Sequence, residues 1–301
     1  MVQENAVHPL EEVYDSLAEL LQAGKEEVLA KANPSKALSL DVIKLASPIT
    51  LPARIVCQGA NYALHRAEAG MKSSRASFNL IFTKPDSSLS GAMDDIQLPS
   101  HVQLLDYEIE LGLVMKTKIR RPVRVTEENL HEYVAGIIIT NDVSARDVQL
   151  VEGQWFKGKS YRTFCPAGPF MYWLDPEEVS QIHHLDLKLW VNGELRQSAN
   201  TEQLQYKPEE TIEELSRMMD FDPGDLLLTG TPGGVALKLT GEQLSQLTNP
   251  FLPSDQKLTL LLESQAENKN YLKNGDIVRC EIKSPDGRID LGFQENRVVS
   301  V

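Results

Sequence analysis

The chain has 301 residues, 42% hydrophobic and 24% charged, an ordinary globular composition long enough for one large core with a small appended unit. Lys and Arg number 30 against 43 Asp and Glu, a net charge of -13, so the surface field repels phosphate backbones and anionic lipid and argues against nucleic acid or a membrane surface as partner. The same field repels an anionic substrate, which therefore needs a local cluster of cations or a metal to hold it.

Residues 9–31 place Leu10, Val13, Leu17, Leu20, Leu21 and Val28 at three- and four-residue steps among many Glu and Lys, and this spacing predicts an amphipathic helix. Asn33, Pro34 and Ser35 break the pattern, and Pro48 and Pro52 punctuate a connector. A small N-terminal domain is thus expected at 1–52 and the main domain at 53–301. Met1 to Asp15 is acidic with no apolar h-region, and no run of ~18 apolar residues follows anywhere, so a cytoplasmic protein is expected. Cys57, Cys165 and Cys280 are far apart, odd in number and without CxxC spacing, which predicts reduced thiols rather than a disulfide framework or thiolate zinc site.

From residue 53 onward short β-rich runs dominate: Arg54–Cys57, Leu80–Thr83, Tyr107–Met115, Ala135–Thr140, Leu185–Val191, Leu226–Thr229 and Asp276–Ile282. Helical patterns are few, Glu127–Tyr133 and Pro208–Met219 being the clearest, so the expected class is α+β, β-rich, with antiparallel or mixed strands. Residues 238–274 lack a clear period and read as an insertion, within which Leu258–Leu262 has the composition of a strand.

Several segments carry chemistry. Asn61 to Gly70 reads as a short helix ended by glycine, with His65 and Glu68 three apart on one face. A carboxylate beside an imidazole makes a general base, although at this spacing a surface ion pair is the commoner account. On a strand, Glu108 and Glu110 project to one side with Cα atoms ~6.6 Å apart, a pattern that in isolation usually marks a solvated face. Asp142 follows the buried run Ala135 to Thr140 at a strand exit, where site residues concentrate and where an N-cap or Asx-turn is the simpler role. Three carboxylates without His or Cys nearby would form a hard-oxygen site suited to magnesium, manganese or calcium rather than zinc.

Gly153 to Ser160 fits the phosphate-loop pattern GxxxxGK[ST], but a β-like run stopped by Pro166 follows where a helix is needed, so the match is taken as coincidental. Arg146 and Lys159 remain as local cations for an anionic substrate. Gly224 to Gly234 reads as a turn, a buried strand and a glycine-rich loop, equally explained as a tight turn between strands.

Taken in order, CQGANYALHRAE, FTKPDSSLSG, LDYEIELGLVM, NDVSARDVQ, QWFKGKSYRTFCPAGP, VNGELRQ, DPGDLLLTGTPGGV and LKNGDIV resemble the fumarylacetoacetate hydrolase family over residues 53–300, with a gap at the insertion. The resemblance implies a mixed β-roll, commonly a homodimer, holding Mg2+ or Mn2+ through Glu108, Glu110 and Asp142. It further assigns substrate contacts to Arg146, Gln149 and Thr231, and catalytic roles to Lys159, His65 and Glu68, the last two activating water in hydrolytic members. The helix carrying them would be a lid that orders on ligand binding. This sequence departs from the family in its long 238–274 connection and its loosely matching first 52 residues.

The activity expected first is metal-dependent cleavage of a C–C bond in an acylpyruvate or fumarylpyruvate-type 2-oxo acid, through an enolate stabilised by the metal. Isomerisation of a 2-hydroxyhepta-2,4-diene-1,7-dioate or decarboxylation of oxaloacetate uses the same enolate chemistry and is the alternative. A catalytically silent metal-dependent binding protein is the remote one.

Overall fold

Apolar residues of the central strands alternate between two buried sets. Ile55, Cys57, Val114, Ile138, Leu226 and Leu228 pack on one side, while Val56, Leu113, Ile137, Ile139 and Leu227 pack on the other. Successive side chains point to opposite faces of a strand, so these near-continuous apolar runs cover both faces of a sheet. In the computed structural model, which describes residues 2–3 and 6–301, these strands form one six-stranded sheet. Its order is Tyr172–Trp173, Val134–Asn141, Ile109–Met115, Leu226–Leu228, Ile55–Gly59 and Leu80–Lys84. Neighbours are antiparallel except Leu226–Leu228 and Ile55–Gly59, which run parallel.

A second, five-stranded sheet runs Glu194–Asn200, Asp186–Val191, Ile277–Lys283, Asp290–Ser300 and Ile96–Leu98, with only the last pair parallel. Leu187, Leu189, Cys280 and Ile282 point inward and share one buried cluster with Leu113 and Ile139, whereas Lys188 is exposed. The chain is therefore α+β and strand-rich, as expected, with two sheets around a common core. Cys57, Cys165 and Cys280 are buried and unpaired.

Three expectations are corrected. Residues 9–31 do not form one helix: Leu17–Ala23 and Lys25–Ala30 are separate helices, divided at Gly24, whose φ of 89° few other residues adopt. Ser16 caps the first by accepting the Glu19 N–H at 3.2 Å, which fixes its start later than the apolar spacing alone suggests. Its Leu17 and Leu21 pack in the same cluster as Ile55 and Leu226, so the segment covers one face of the large sheet.

Glu127–Tyr133 yields only a 3-10 turn at Leu130–Glu132, whereas Pro208–Leu215 is helical as predicted, ending four residues early. Within 238–274, Leu258–Leu262 is not a strand. It lies in the helix Ser254–Gln265, preceded by the helix Gly241–Leu247, and the buried positions Lys257, Leu261 and Gln265 recur every four residues.

Candidate metal centre and active site

Antiparallel pairing places the two acidic segments side by side. Glu110 on the Ile109–Met115 strand is opposite Thr140, and Asp142 lies just past the end of the Val134–Asn141 strand. The strand starts at Ile109, two residues later than predicted, so Glu108 sits in the link before it. That link is pinned: the Glu108 N–H donates to Asn141 Oδ1 at 2.9 Å, and its carbonyl accepts the Asp142 N–H at 2.8 Å. Glu108, Glu110 and Asp142 are all buried, and each offers an oxygen within 4.8 Å of the others.

Buried carboxylates need cations. Lys159 Nζ donates to Glu108 Oε2 at 2.7 Å and to Asp142 Oδ2 at 2.6 Å. Lys84 Nζ donates to Asp142 Oδ1 at 2.5 Å. Arg146 donates to Glu108 Oε1 at 2.5 Å, to Asp106 Oδ2 at 2.9 Å and to Gln149 Oε1 at 2.9 Å. Asp106 also accepts the backbone N–H groups of Tyr107, Ala236 and Leu237, tying the site to the chain beyond the glycine-rich loop.

Among the described residues, Glu110 has no cation paired with it. Its Oε2 accepts only the Gly230 N–H, at 2.8 Å. Gly230 has φ 92°, and a Cβ there would lie 2.7 Å from Asn61 Cβ, so glycine alone brings this N–H to the carboxylate. Burial, reinforced by the negative charges of Asp142 and Glu108, pushes the Glu110 carboxyl well above the usual carboxylate range. Burial would raise Glu108 too, but Lys159 and Arg146 outweigh it and hold that carboxyl below the usual range. Four buried carboxylates thus face three buried cations, and the uncompensated one is in the trio. A hard dication fits this donor set and this deficit of positive charge.

The other expected residues fall as follows. His65, Arg146, Gln149, Lys159 and Thr231 line one cavity with Glu108 and Glu110. Thr231 turns its hydroxyl to the Ile109 carbonyl at 2.9 Å and accepts from Gln197 Nε2 at 2.9 Å, so its contacts brace the strand. His65 is buried, and its Nδ1 has no hydrogen-bond partner among the described residues. The His65–Glu68 hydrogen bond that a water-activating dyad needs is not made. Glu68 instead pairs with Lys238 at 2.5 Å and accepts the Gly234 N–H at 2.8 Å. Burial, with Arg146 and Lys159 nearby, lowers the His65 pKa to about 4, so the ring is neutral at pH 7.

The phosphate-loop string runs from the end of the helix Arg146–Glu152 through the short helix Trp155–Gly158, so it is no strand-to-helix junction, and its lysine faces carboxylates. Sequence reasoning missed Lys84 and Asp106. Both lie inside quoted motifs, yet no spacing rule marks a lysine at a strand end or an aspartate beside a tyrosine as buried partners. The cavity is about 20 Å³, room for one water, so a larger molecule enters only if the helix Ala63–Glu68 or the lysine side chains move.

The family model for the Fumarylacetoacetate (FAA) hydrolase C-terminal region matches residues 54–299, and the chain belongs to that family. Among its relatives, the Rattus norvegicus protein named Oxaloacetate tautomerase Fahd2a, mitochondrial, is 33% identical over 290 residues, covering 94% of this chain and 80% of the rat protein. Oxaloacetate tautomerase YisK of Bacillus subtilis (strain 168) is 34% identical over 229 residues, 75% of this chain and 71% of that one. The solved structure of a fumarylacetoacetate hydrolase from psychrophilic Exiguobacterium antarcticum superposes with a TM-score of 0.71 at 32% identity, covering 96% of this chain and 89% of that one.

Proposed function

We propose that this chain is a divalent-metal-dependent enzyme that interconverts the keto and enol forms of a small 2-oxo diacid such as oxaloacetate. The observation that carries the proposal is His65, a neutral buried imidazole with a free Nδ1 and no carboxylate partner, facing the cavity of the acidic trio. Ketonisation takes the proton from the enol oxygen and places one on C3. A neutral imidazole accepts one and returns the other, without needing the stronger base that makes hydroxide from water.

Glu108, Glu110 and Asp142 would hold Mg2+ or Mn2+, which when bound supplies Lewis-acid polarisation of the keto and carboxylate oxygens. Arg146 and Lys159 keep Glu108 ionised and offset the charge of a dianionic substrate. Support also comes from the names of the rat and Bacillus relatives. By the family resemblance, the working form is a homodimer.

Hydrolysis of an acylpyruvate is the second reading, favoured by the presence of His65 and Glu68 on one helix and by the likeness to the Exiguobacterium enzyme. The deciding experiment follows loss of the enol's ultraviolet absorbance in fresh oxaloacetate, with Mg2+ or Mn2+ and then with chelator, beside acylpyruvate hydrolysis and carbon dioxide release. Metal-dependent acceleration of ketonisation is expected. No acceleration, together with hydrolysis of an acylpyruvate, would replace the tautomerase with the hydrolase.

A further inference from the structure

Lys238 follows the glycine-rich loop, and its ammonium pairs with a residue of the helix Ala63–Glu68. Both Glu68 oxygens are engaged there: Oε1 by Lys238 at 2.5 Å, Oε2 by the Gly234 N–H at 2.8 Å. The Glu68 backbone carbonyl accepts the Leu239 N–H at 2.8 Å as well. The Lys238 carbonyl is in turn held by Gln265 Nε2 at 2.8 Å, from the helix Ser254–Gln265. The Glu68 side chain is 15% exposed and that of Lys238 47%, so the carboxylate end of the pair is the one shielded from water. One turn earlier on the same helix, buried His65 has no partner for Nδ1.

Resting on the tautomerase assignment above, we infer that Lys238 is a positioning residue that selects the reaction by withholding Glu68 from His65. The two chemistries ask different things of the imidazole. In ketonisation it passes a proton between oxygen and carbon of one substrate. In hydrolysis it must take a proton from water while the water oxygen bonds to the distal carbonyl carbon. The bond from that carbon to C3 then breaks, its electron pair goes to the enolate of the 2-oxo acid, and the enolate takes a proton. The second sequence needs an oriented imidazole whose positive charge is stabilised, which a hydrogen-bonded carboxylate provides. With Glu68 held by Lys238 and Gly234, that stabilisation is withheld and the hydrolytic branch is slow.

The test is Lys238→Met, which keeps the side-chain length and removes the charge. The ratio of acylpyruvate hydrolysis to oxaloacetate ketonisation is expected to rise by ~10-fold or more, in kcat rather than KM, a part of the ~10²–10⁴-fold that a properly set general base contributes. Lys238→Arg should keep the wild-type ratio, and adding Glu68→Gln to Lys238→Met should cancel the gain. Independently of activity, the metal-free Lys238→Met protein should show a slowly exchanging His65 Nδ1–H proton in its NMR spectrum, absent from wild type.

A lysine that merely straps the lid down would lower both activities together and leave the ratio and the imidazole signal unchanged, and that result overturns the inference. Failure of the tautomerase assignment shows itself separately, as no ketonisation by wild type. Hydrolytic kcat and the His65 proton in Lys238→Met then still decide whether Lys238 withholds Glu68.

Discussion

Replacing Lys84 by Met removes a buried cation while preserving most of its volume. Its ammonium lies 2.5 Å from Asp142 Oδ1, and neither side chain has any exposure to water. Breaking a buried pair on one side costs ~3–5 kcal/mol when the other charge is left buried, and here Asp142 would keep only its Lys159 contact, on Oδ2 at 2.6 Å. Unfolding entropy of ~2.1 cal/mol/K per residue gives ~0.63 kcal/mol/K for a chain of this length, so Tm should fall by ~5–8 °C. The measurement is a thermal melt in chelator. The same substitution takes a positive charge away from the acidic trio, so affinity for Mn2+, titrated by calorimetry, should rise. Metal would then restore much of the lost stability, as binding only the folded state does. An unchanged Tm in chelator, or weaker Mn2+ binding, would refute the claim that Lys84 balances the site in place of a dication.

Glu110→Gln should abolish measurable Mn2+ binding without lowering Tm in chelator, since the carboxylate it removes has no cation to lose. A carboxyl raised in the folded state stabilises below its ordinary pKa and loses that contribution as pH rises, so the stability difference, wild type minus Glu110→Gln, should decline from pH 4 toward neutrality in chemical denaturation. His65→Ala should cut oxaloacetate ketonisation by ~10²–10⁴-fold in stopped-flow assays while Mn2+ affinity persists, the usual cost of a lost proton carrier. Gln294→Leu removes the donor shared by the carbonyls of Ile139, Pro166 and Gly168, of which Ile139 keeps the Gly168 N–H, and urea titration should show a loss of about 2 kcal/mol or more. Leu21→Ala opens a hole under the large sheet and should cost ~2–5 kcal/mol with ketonisation kinetics intact.

Short β-rich runs between turn residues carried most of the main sheet in the sequence. Seven strands are legible from them because a strand covered on both faces reads as a near-continuous apolar run and one covered on a single face as an alternating one. Asp290–Ser300 is not legible that way. Gln294 and Asn296 on its inner face are fully buried, their side-chain N–H groups donating to backbone carbonyls of distant segments, and polar letters in a sequence look like solvent. Helix Ser254–Gln265 was hidden for a related reason, since Lys257 and Gln265 are buried members of its inner face.

At the site, the sequence by itself determined which residue types meet: the ExE pair, the aspartate at a strand exit and the two cations Arg146 and Lys159. Tertiary structure alone decided how their charges balance. Glu68 lies three residues from His65 in sequence, yet it bonds to Lys238 and Gly234. Lys84 answers Asp142 from 58 positions away. Sequence spacing fixes neighbours along one helix or strand, but a buried charge finds its partner through space, wherever desolvation makes an unpaired ion too costly to leave.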